Sequence, residues 1–282
     1  MEPTQIEPTQ IEPTQSTPSP EPSASPTIAP VWHTILLVVA IIAISIHGAS
    51  RFSTTHGPID RFATYGFTAA IELAMLVWVI VGLRLRKISL RSLLGSCPLN
   101  IRSIAMDLGL ALTFWIASLM VLGTLSIAWS GVEVVLTHHA PPSLTSGQKG
   151  QAPLSPDPSQ LKELREIAQL APDNGKEVAA WALLCLLVGL VEEIIFRGYL
   201  QQQFISWAHG RVAVGVLASA VVFGGAHGYE GVRRMFLLAV FGVLFSMLAY
   251  YRRGLRPGII AHAWHDFIAG LLLALLRSRH IL

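Results

Sequence analysis

Long hydrophobic runs separated by short polar segments dominate the chain from residue 31 onward. A helix that crosses about 30 Å of hydrocarbon needs about 20 residues, and seven of the runs approach or exceed this length. They cover residues 31–46, 67–83, 104–129, 178–203, 212–226, 232–250 and 257–276. The pattern therefore predicts an all-α, polytopic helical membrane protein with about seven transmembrane helices.

The composition supports this class of protein. Hydrophobic residues make up 52% of the 282 residues and charged residues only 13%, whereas soluble domains carry about 25% charged residues. The net charge of +3 is explained by lysines and arginines in loops, and no basic patch with interleaved aromatic residues occurs. We therefore expect an integral, multi-pass protein of the cell (plasma) membrane that contacts membrane lipid and binds no nucleic acid.

Polar segments divide the chain into four parts. Residues 1–30, with their EPTQI repeats and many prolines and serines, form a tail that we expect to be disordered because it has too little apolar surface to fold. Residues 31–129 hold the N-terminal transmembrane helices, and residues 130–176 form a polar loop with a short amphipathic helix. Residues 177–282 form the C-terminal helical core.

Two adjacent carboxylates and an arginine, Glu192, Glu193 and Arg197, interrupt the fourth hydrophobic run. Charges at membrane depth cost at least about 2.5 to 3.5 kcal/mol each, so a chain that carries three of them within six residues is expected to use them. On a helix, Glu193 and Arg197 share a face and can pair, while Glu192 points about a quarter-turn away. The alternative is that all three are interfacial charges at a helix end.

A second polar position, His227, ends the run 212–226, with Phe223 one turn earlier on the same face. If the chain turns near residues 209–210, Glu192 and His227 each lie about 17 residues, or about 26 Å, from that turn. The two side chains would then have the same depth on neighbouring antiparallel helices. A simple helix-capping role for His227 is the alternative.

A third polar position lies in the last run, where His262 and Asp266 project from one helix face. Asp266 could also serve only to fix the tautomer of a buried histidine, and His265, one residue off this face, is the alternative member. Straight spans would separate His262 from His227 by about 20 Å. The site can assemble only if the 228–234 turn enters the membrane within a water-filled cavity, or if the helices tilt strongly.

Two further carboxylates lie within or beside the N-terminal runs. Glu72 is inside the second run and Asp107 is near the start of the third. Each is either part of a polar cavity or a buried, hydrogen-bonded structural group.

The three ordered motifs resemble those of the CPBP family of intramembrane endopeptidases, which includes CAAX prenyl proteases and bacterial bacteriocin-processing, self-immunity and abortive-infection proteins. The motifs are Glu192-Glu193-xxx-Arg197, Phe223-xxx-His227 and His262-xxx-Asp266. The resemblance covers about residues 176 to 276.

The resemblance implies a role for each motif. Glu192 and His227 would activate water, and His262 with Asp266 would stabilise the oxyanion. The supporting residues would be Glu193, Arg197 and Phe223. Many relatives have asparagine where this chain has Asp266, and an ionised aspartate would repel an oxyanion. Asp266 must therefore be protonated, paired with His262 or His265, or only orienting.

The chemistry of these residues is sufficient for peptide hydrolysis, which needs a base for water, donors for the oxyanion and an acid for the leaving amine. A glutamate and two histidines are also a known zinc set, so Glu192, His227 and His262 are the metal ligands of an alternative mechanism. The resemblance favours the mechanism without a cofactor.

We therefore expect an intramembrane endopeptidase that cleaves a membrane-associated or lipidated protein. A catalytically silent membrane scaffold or immunity protein is one alternative. A proton-coupled transporter with a relay through Glu72, Asp107, Glu192 and the histidines is the other.

Overall fold

The computed structural model describes residues 27–54, 59–95, 98–138 and 164–281, and the structural statements below concern these residues. The predicted disordered tail lies outside them except for its last four residues. Most of the predicted polar loop also lies outside, and only residues 164–168 of its amphipathic helix are described, as helix. The division of the chain into four parts stays a prediction.

Nine α-helices make up almost all of the described structure, which contains no β-strand beyond an isolated bridge between Gly95 and Gly254. The helices are α1 Val31–Thr54, α2 Arg61–Leu85, α3 Leu90–Leu94, α4 Ile101–His138, α5 Gly175–Glu192, α6 Gln201–Trp207, α7 Val212–Ala226, α8 Val232–Arg252 and α9 Arg256–Ser278. A π-helix, Glu193–Leu200, joins α5 to α6, and a 3-10 turn, Gly228–Glu230, precedes α8. The predicted all-α class is confirmed.

Six helical segments in the described structure are long and apolar enough to span a membrane. They are Val31–Gly48, Arg61–Leu85, Ile101–Glu133, Gly175–Trp207, Val232–Arg252 and Arg256–Ser278. The remaining predicted span, α7, has 15 residues, which at 1.5 Å per residue is about 22 Å and falls short of about 30 Å of hydrocarbon. The described residues therefore contain six helical segments long enough to span a membrane and one short apolar helix.

Helix ends follow the local sequence. Asn174 caps α5 by accepting hydrogen bonds from the backbone N–H groups of Lys176 (3.1 Å) and Glu177 (3.0 Å). Asp60 caps α2 in the same way through the N–H of Ala63 (3.0 Å). These side chains satisfy N–H groups that have no partner within the helix, which fixes where each helix begins.

The continuous rod formed by α5, the π-helix and α6 is the centre of the bundle, and it packs against α2, α7 and α9. All eight residues of the π-helix are buried. Gly189 allows α5 to approach α9 closely, because a Cβ atom there would lie 3.0 Å from the backbone nitrogen of Ala263. Small residues of this kind permit close helix packing where no hydrophobic effect drives association.

Buried hydrogen bonds attach the start of α1 to this rod. The Tyr199 hydroxyl lies 2.9 Å from both His33 Nδ1 and Thr34 Oγ1. The Gln203 side chain accepts from the N–H of Ala29 (3.2 Å) and donates to its carbonyl oxygen (2.8 Å). Because lipid offers no alternative partners, these bonds fix α1 against the rod.

Asp107 of α4 is a structural residue at the other side of the bundle. Its buried carboxylate accepts a hydrogen bond of 2.8 Å from Arg252 Nη2, and it also binds the guanidinium of Arg256. It therefore joins α4 to the end of α8 and the start of α9. Of the two roles left open for this residue by the sequence, the structure supports the hydrogen-bonded one.

Replacing Asp107 should destabilise the bundle. Asp107→Asn removes the charge that compensates Arg252 and Arg256, so we expect the free energy of unfolding to fall by about 2 to 4 kcal/mol. Thermal unfolding in detergent measures this as a lower midpoint. Arg279→Gln, at an exposed position, is the control and should leave the midpoint unchanged. An equal midpoint for both variants would contradict the structural role.

Candidate active site

The four residues predicted to be catalytic line one cavity of about 1560 Å³, together with His265 and Glu72. The predicted catalytic residues are Glu192, His227, His262 and Asp266. The bundle thus brings the polar side chains of all three motifs, which are well separated along the chain, to one cavity. Phe223, at the start of the second motif, also faces this cavity.

The two adjacent glutamates have different surroundings. Glu192 is the last residue of α5 and its side chain is 12% exposed, while Glu193 begins the π-helix and its side chain is fully buried. Glu192 faces the cavity, and Glu193 points into the packed interior. One carboxylate is therefore fixed by the protein and the other is accessible, as the helix geometry predicts.

Glu193 forms an ion pair with Arg197, in which Oε1 and Nη1 are 2.9 Å apart. Arg197 is buried, and its guanidinium lies over the rings of Phe223 (4.4 Å) and Phe245 (5.1 Å). None of its nitrogens makes a well-aligned hydrogen bond. Charge attraction to Glu193 and cation-π contacts therefore hold the guanidinium in place.

Gly258 provides the space for this arrangement. A Cβ atom at that position would lie 2.9 Å from Glu193 Oε2. Because that contact is too close for carbon, any other residue at position 258 would displace the buried carboxylate.

His262 connects the ion pair to the cavity. Its Nδ1 atom donates to Glu193 Oε1 at 3.1 Å. Its Nε2 atom lies 3.5 Å from Glu192 Oε2 and 3.6 Å from Asp266 Oδ2. The ring is thus oriented by Glu193 on one side and presents its other nitrogen to the cavity beside two carboxylates.

His227 is oriented by its own helix. Its Nδ1 atom lies 2.9 Å from the carbonyl oxygen of Phe223, and since a carbonyl can only accept, Nδ1 carries the proton. The Nε2 atom of the neutral ring is therefore left with its lone pair. His227 caps the C-terminus of α7 and also has a nitrogen, Nε2, that can accept a proton or a hydrogen bond. The capping role therefore does not prevent a role in catalysis.

The length of α7 explains how His227 and His262 come together. The Phe223 ring lies 4.9 Å from the His227 ring and 6.1 Å from the His262 ring. The two histidines are thus much closer than the roughly 20 Å expected for straight spans. The helix α7 ends at the cavity after 15 residues, so that His227 lines the cavity and the turn after it forms part of the cavity wall through Tyr229 and Glu230.

His265 occupies a different environment from His262. Its ring packs against Phe241 at 4.8 Å, and no hydrogen bond or ion pair to a carboxylate is found for it among the described contacts. Of the two histidines in the third motif, His262 is therefore the one placed among the acidic groups of the site.

The sequence left two roles open for Glu72, and the structure places it at the cavity; the 228–234 turn also lines the cavity, through Tyr229 and Glu230. Glu72, on α2, is buried and faces the same cavity as Glu192. The available signal was its position inside an apolar run, but Asp107 had the same signal and proved to be structural.

A metal site was the alternative for Glu192, His227 and His262. Across the described parts of the chain, no group of three or more His, Cys, Asp or Glu side chains is arranged as metal ligands.

Comparison with known families agrees with the motifs. Residues 174–268 match the family model described as "Type II CAAX prenyl endopeptidase Rce1-like". No curated protein and no solved structure matches the chain. The predicted resemblance to the CAAX protease family is confirmed over this segment, which contains α5 to α8 and the part of α9 that carries His262 and Asp266.

Breaking the buried ion pair should be costly. Arg197→Gln leaves the Glu193 charge buried without its partner, so we expect a loss of about 3 to 5 kcal/mol in the free energy of unfolding. The double variant Glu193→Gln/Arg197→Met removes both charges and should regain much of that stability. Thermal unfolding and the yield of monodisperse protein measure both effects.

Arg234→Gln is the matched control for this prediction. Arg234 also pairs with a glutamate one turn away, Glu230 at 3.1 Å, but its side chain is 32% exposed. Solvent weakens such a pair, so its loss should cost less than about 1 kcal/mol. If Arg197→Gln and Arg234→Gln lower the midpoint of thermal unfolding by the same amount, the buried pair contributes no more to stability than the exposed one, which would contradict this prediction.

Proposed function

We propose that the protein is an intramembrane endopeptidase that hydrolyses a peptide bond of a membrane-associated or lipidated protein without a cofactor, in the cell membrane. One observation carries this proposal: Glu192, His227, His262 and Asp266 share a single cavity within the segment that matches the CAAX protease family. A cavity of this size has room for a peptide and for water.

Glu192 and His227 are the proposed water-activating pair. Glu192 takes a proton from water as the water oxygen attacks the carbonyl carbon of the scissile bond, and His227 Nε2 accepts a hydrogen bond that orients the same water. The base is a carboxylate that is 12% exposed inside an apolar bundle. Such a partly desolvated carboxylate is suited to taking and returning a proton.

The tetrahedral intermediate carries a negative charge on its oxygen, and we assign its stabilisation to His262 Nε2–H. The proton held by Glu192 then passes to the leaving nitrogen as the carbon–nitrogen bond breaks. The products are a carboxylic acid and an amine, so the atoms of one water are divided between them.

Asp266 acts on His262 in this scheme and does not contact the oxyanion. Its Oδ2 lies 3.6 Å from His262 Nε2, so its charge favours a proton on that nitrogen. Among the possibilities that the sequence left open for an aspartate at this position, pairing with His262 is the one that the geometry supports.

The transporter alternative requires a relay that includes Asp107. Asp107 does not line the cavity that holds Glu72 and Glu192, and its carboxylate is bound by Arg252 and Arg256. A proton path through Asp107 would have to break these ion pairs, so the contacts favour the endopeptidase.

Removing either water-activating residue should abolish cleavage. Purified protein is incubated with a panel of membrane-associated peptides that includes prenylated and unmodified CAAX sequences. We expect Glu192→Gln and His227→Ala to reduce kcat/KM by at least about 100-fold. Leu217→Ala, on the exposed face of α7 (57%), is the control and should cleave like wild type.

A strong chelator distinguishes the two mechanisms in the same assay. Unchanged cleavage supports activation of water by Glu192 and His227 alone. Loss of cleavage that zinc restores would assign Glu192, His227 and His262 as metal ligands. Full activity of Glu192→Gln would contradict the central assignment, and a wild type that cleaves no peptide would favour the scaffold alternative.

The third motif provides a separate prediction. His262→Ala should reduce kcat by about 100-fold or more, because it removes the oxyanion donor. His265→Ala should retain most of the activity, because its ring packs on Phe241 and makes no ion pair with a carboxylate among the described contacts. Steady-state kinetics on one cleaved peptide compares them, and a larger loss for His265→Ala would reverse the assignment.

A further inference from the structure

Glu72 is a buried carboxyl for which no ion pair or side-chain hydrogen bond is found among the described residues. It lies in the middle of α2, eleven residues after Arg61, which is about 17 Å along the helix. Glu72 is only 6% exposed to solvent, and it lines the cavity that also contains Glu192 and His262. A carboxyl at this depth is costly unless the surroundings compensate for it.

Asp107 is a carboxylate with a structural role, and two arginines form ion pairs with it. No arginine or lysine in the part of the chain that the structure describes pairs with Glu72. Its Oε2 atom is buried without any hydrogen bond, and the charges that act on the side chain are those of the site itself, namely Glu192, His262 and Asp266. Glu72 thus belongs to the cavity and not to the supporting framework.

The other acidic groups around the cavity already have partners or an assigned role. Asp266 faces His262, Glu230 forms an ion pair with Arg234, and Glu166 also has a polar partner. Glu192 is the proposed base. Glu72 is therefore an acceptor that remains available on the α2 side of the cavity.

A peptide bound at membrane depth needs such an acceptor. Its backbone N–H groups lose their water partners when they enter the cavity, and an unsatisfied N–H costs about as much as a lost hydrogen bond. A carboxyl group accepts hydrogen bonds in both protonation states, so Glu72 can satisfy one N–H group whether or not it is ionised.

We propose that Glu72 is a substrate-positioning residue, whose carboxyl accepts a hydrogen bond from a backbone N–H of the bound peptide. This inference rests on the proposed endopeptidase function. Glu72 lies outside residues 174–268, the segment that matches the family, so the N-terminal helices contribute to substrate binding and do not only surround the core.

Steady-state kinetics test the role of Glu72. Glu72→Ala should raise KM by about 5- to 150-fold and change kcat little, because it removes an interaction made equally in the bound substrate and the transition state. Glu72→Gln keeps a carbonyl acceptor and should stay within about 3-fold of wild type. Leu73→Ala, the next residue on α2 and 48% exposed, is the matched control.

Methylated peptides identify the contact directly. Each backbone N–H of a cleaved peptide is replaced in turn by N-methyl, and kcat/KM is measured with wild type and with Glu72→Ala. We expect one methylation to weaken cleavage by wild type about 5-fold or more and to have no further effect on Glu72→Ala. If N-methylation lowers kcat/KM by the same factor in wild type and in Glu72→Ala at every position of the peptide, the proposal is wrong.

A binding measurement separates this proposal from the proposed function. Affinity for a fluorescent peptide is measured in the inactive Glu192→Gln background, with and without Glu72→Ala, and thermal unfolding is recorded for both. Weaker binding with an unchanged midpoint supports positioning. Equal affinity, or a lower midpoint with unchanged KM, contradicts it, while cleavage by Glu192→Gln itself would overturn the endopeptidase mechanism instead.

Discussion

The buried ion pair between Glu193 and Arg197 is the contact on which the site depends. Neither charge is tolerable alone inside an apolar bundle, and each compensates the other. The pair also extends beyond its own helix, since Glu193 orients His262 of α9 and Arg197 packs on Phe223 of α7. A single pair of charges thus fixes the relative positions of the three helices that carry the motifs.

Two departures from regular spanning helices lie beside the cavity. The π-helix begins at Glu193, and such irregular turns occur frequently at functional sites. The helix α7 has 15 residues and ends within the bundle at His227. Glu192 and Glu193 point in different directions because successive residues of a helix are rotated about its axis, and the end of the short helix α7 places His227 at the same cavity as Glu192.

Asp107 and Glu72, the two carboxylates of the N-terminal helices, have different roles because their neighbours in the folded structure differ. Asp107 and Glu72 look alike in the sequence, since each is a lone acidic residue in an apolar segment. Arg252 and Arg256, from helices more than a hundred residues away in the chain, bind one of them. The other faces the cavity with an unpartnered oxygen, and only the packing of α2 against α5 places it there.

The sequence by itself determined the helical class, most span positions and the pairing of Glu193 with Arg197 and of His262 with Asp266. These follow from local periodicity, because residues four apart share a helix face whatever surrounds the helix. The proximity of His227 to His262, the bond between His262 and Glu193, and the roles of Asp107 and Glu72 were decided only by the tertiary structure. Contacts between helices depend on helix length, irregular turns and close packing at residues such as Gly189, which no local spacing encodes.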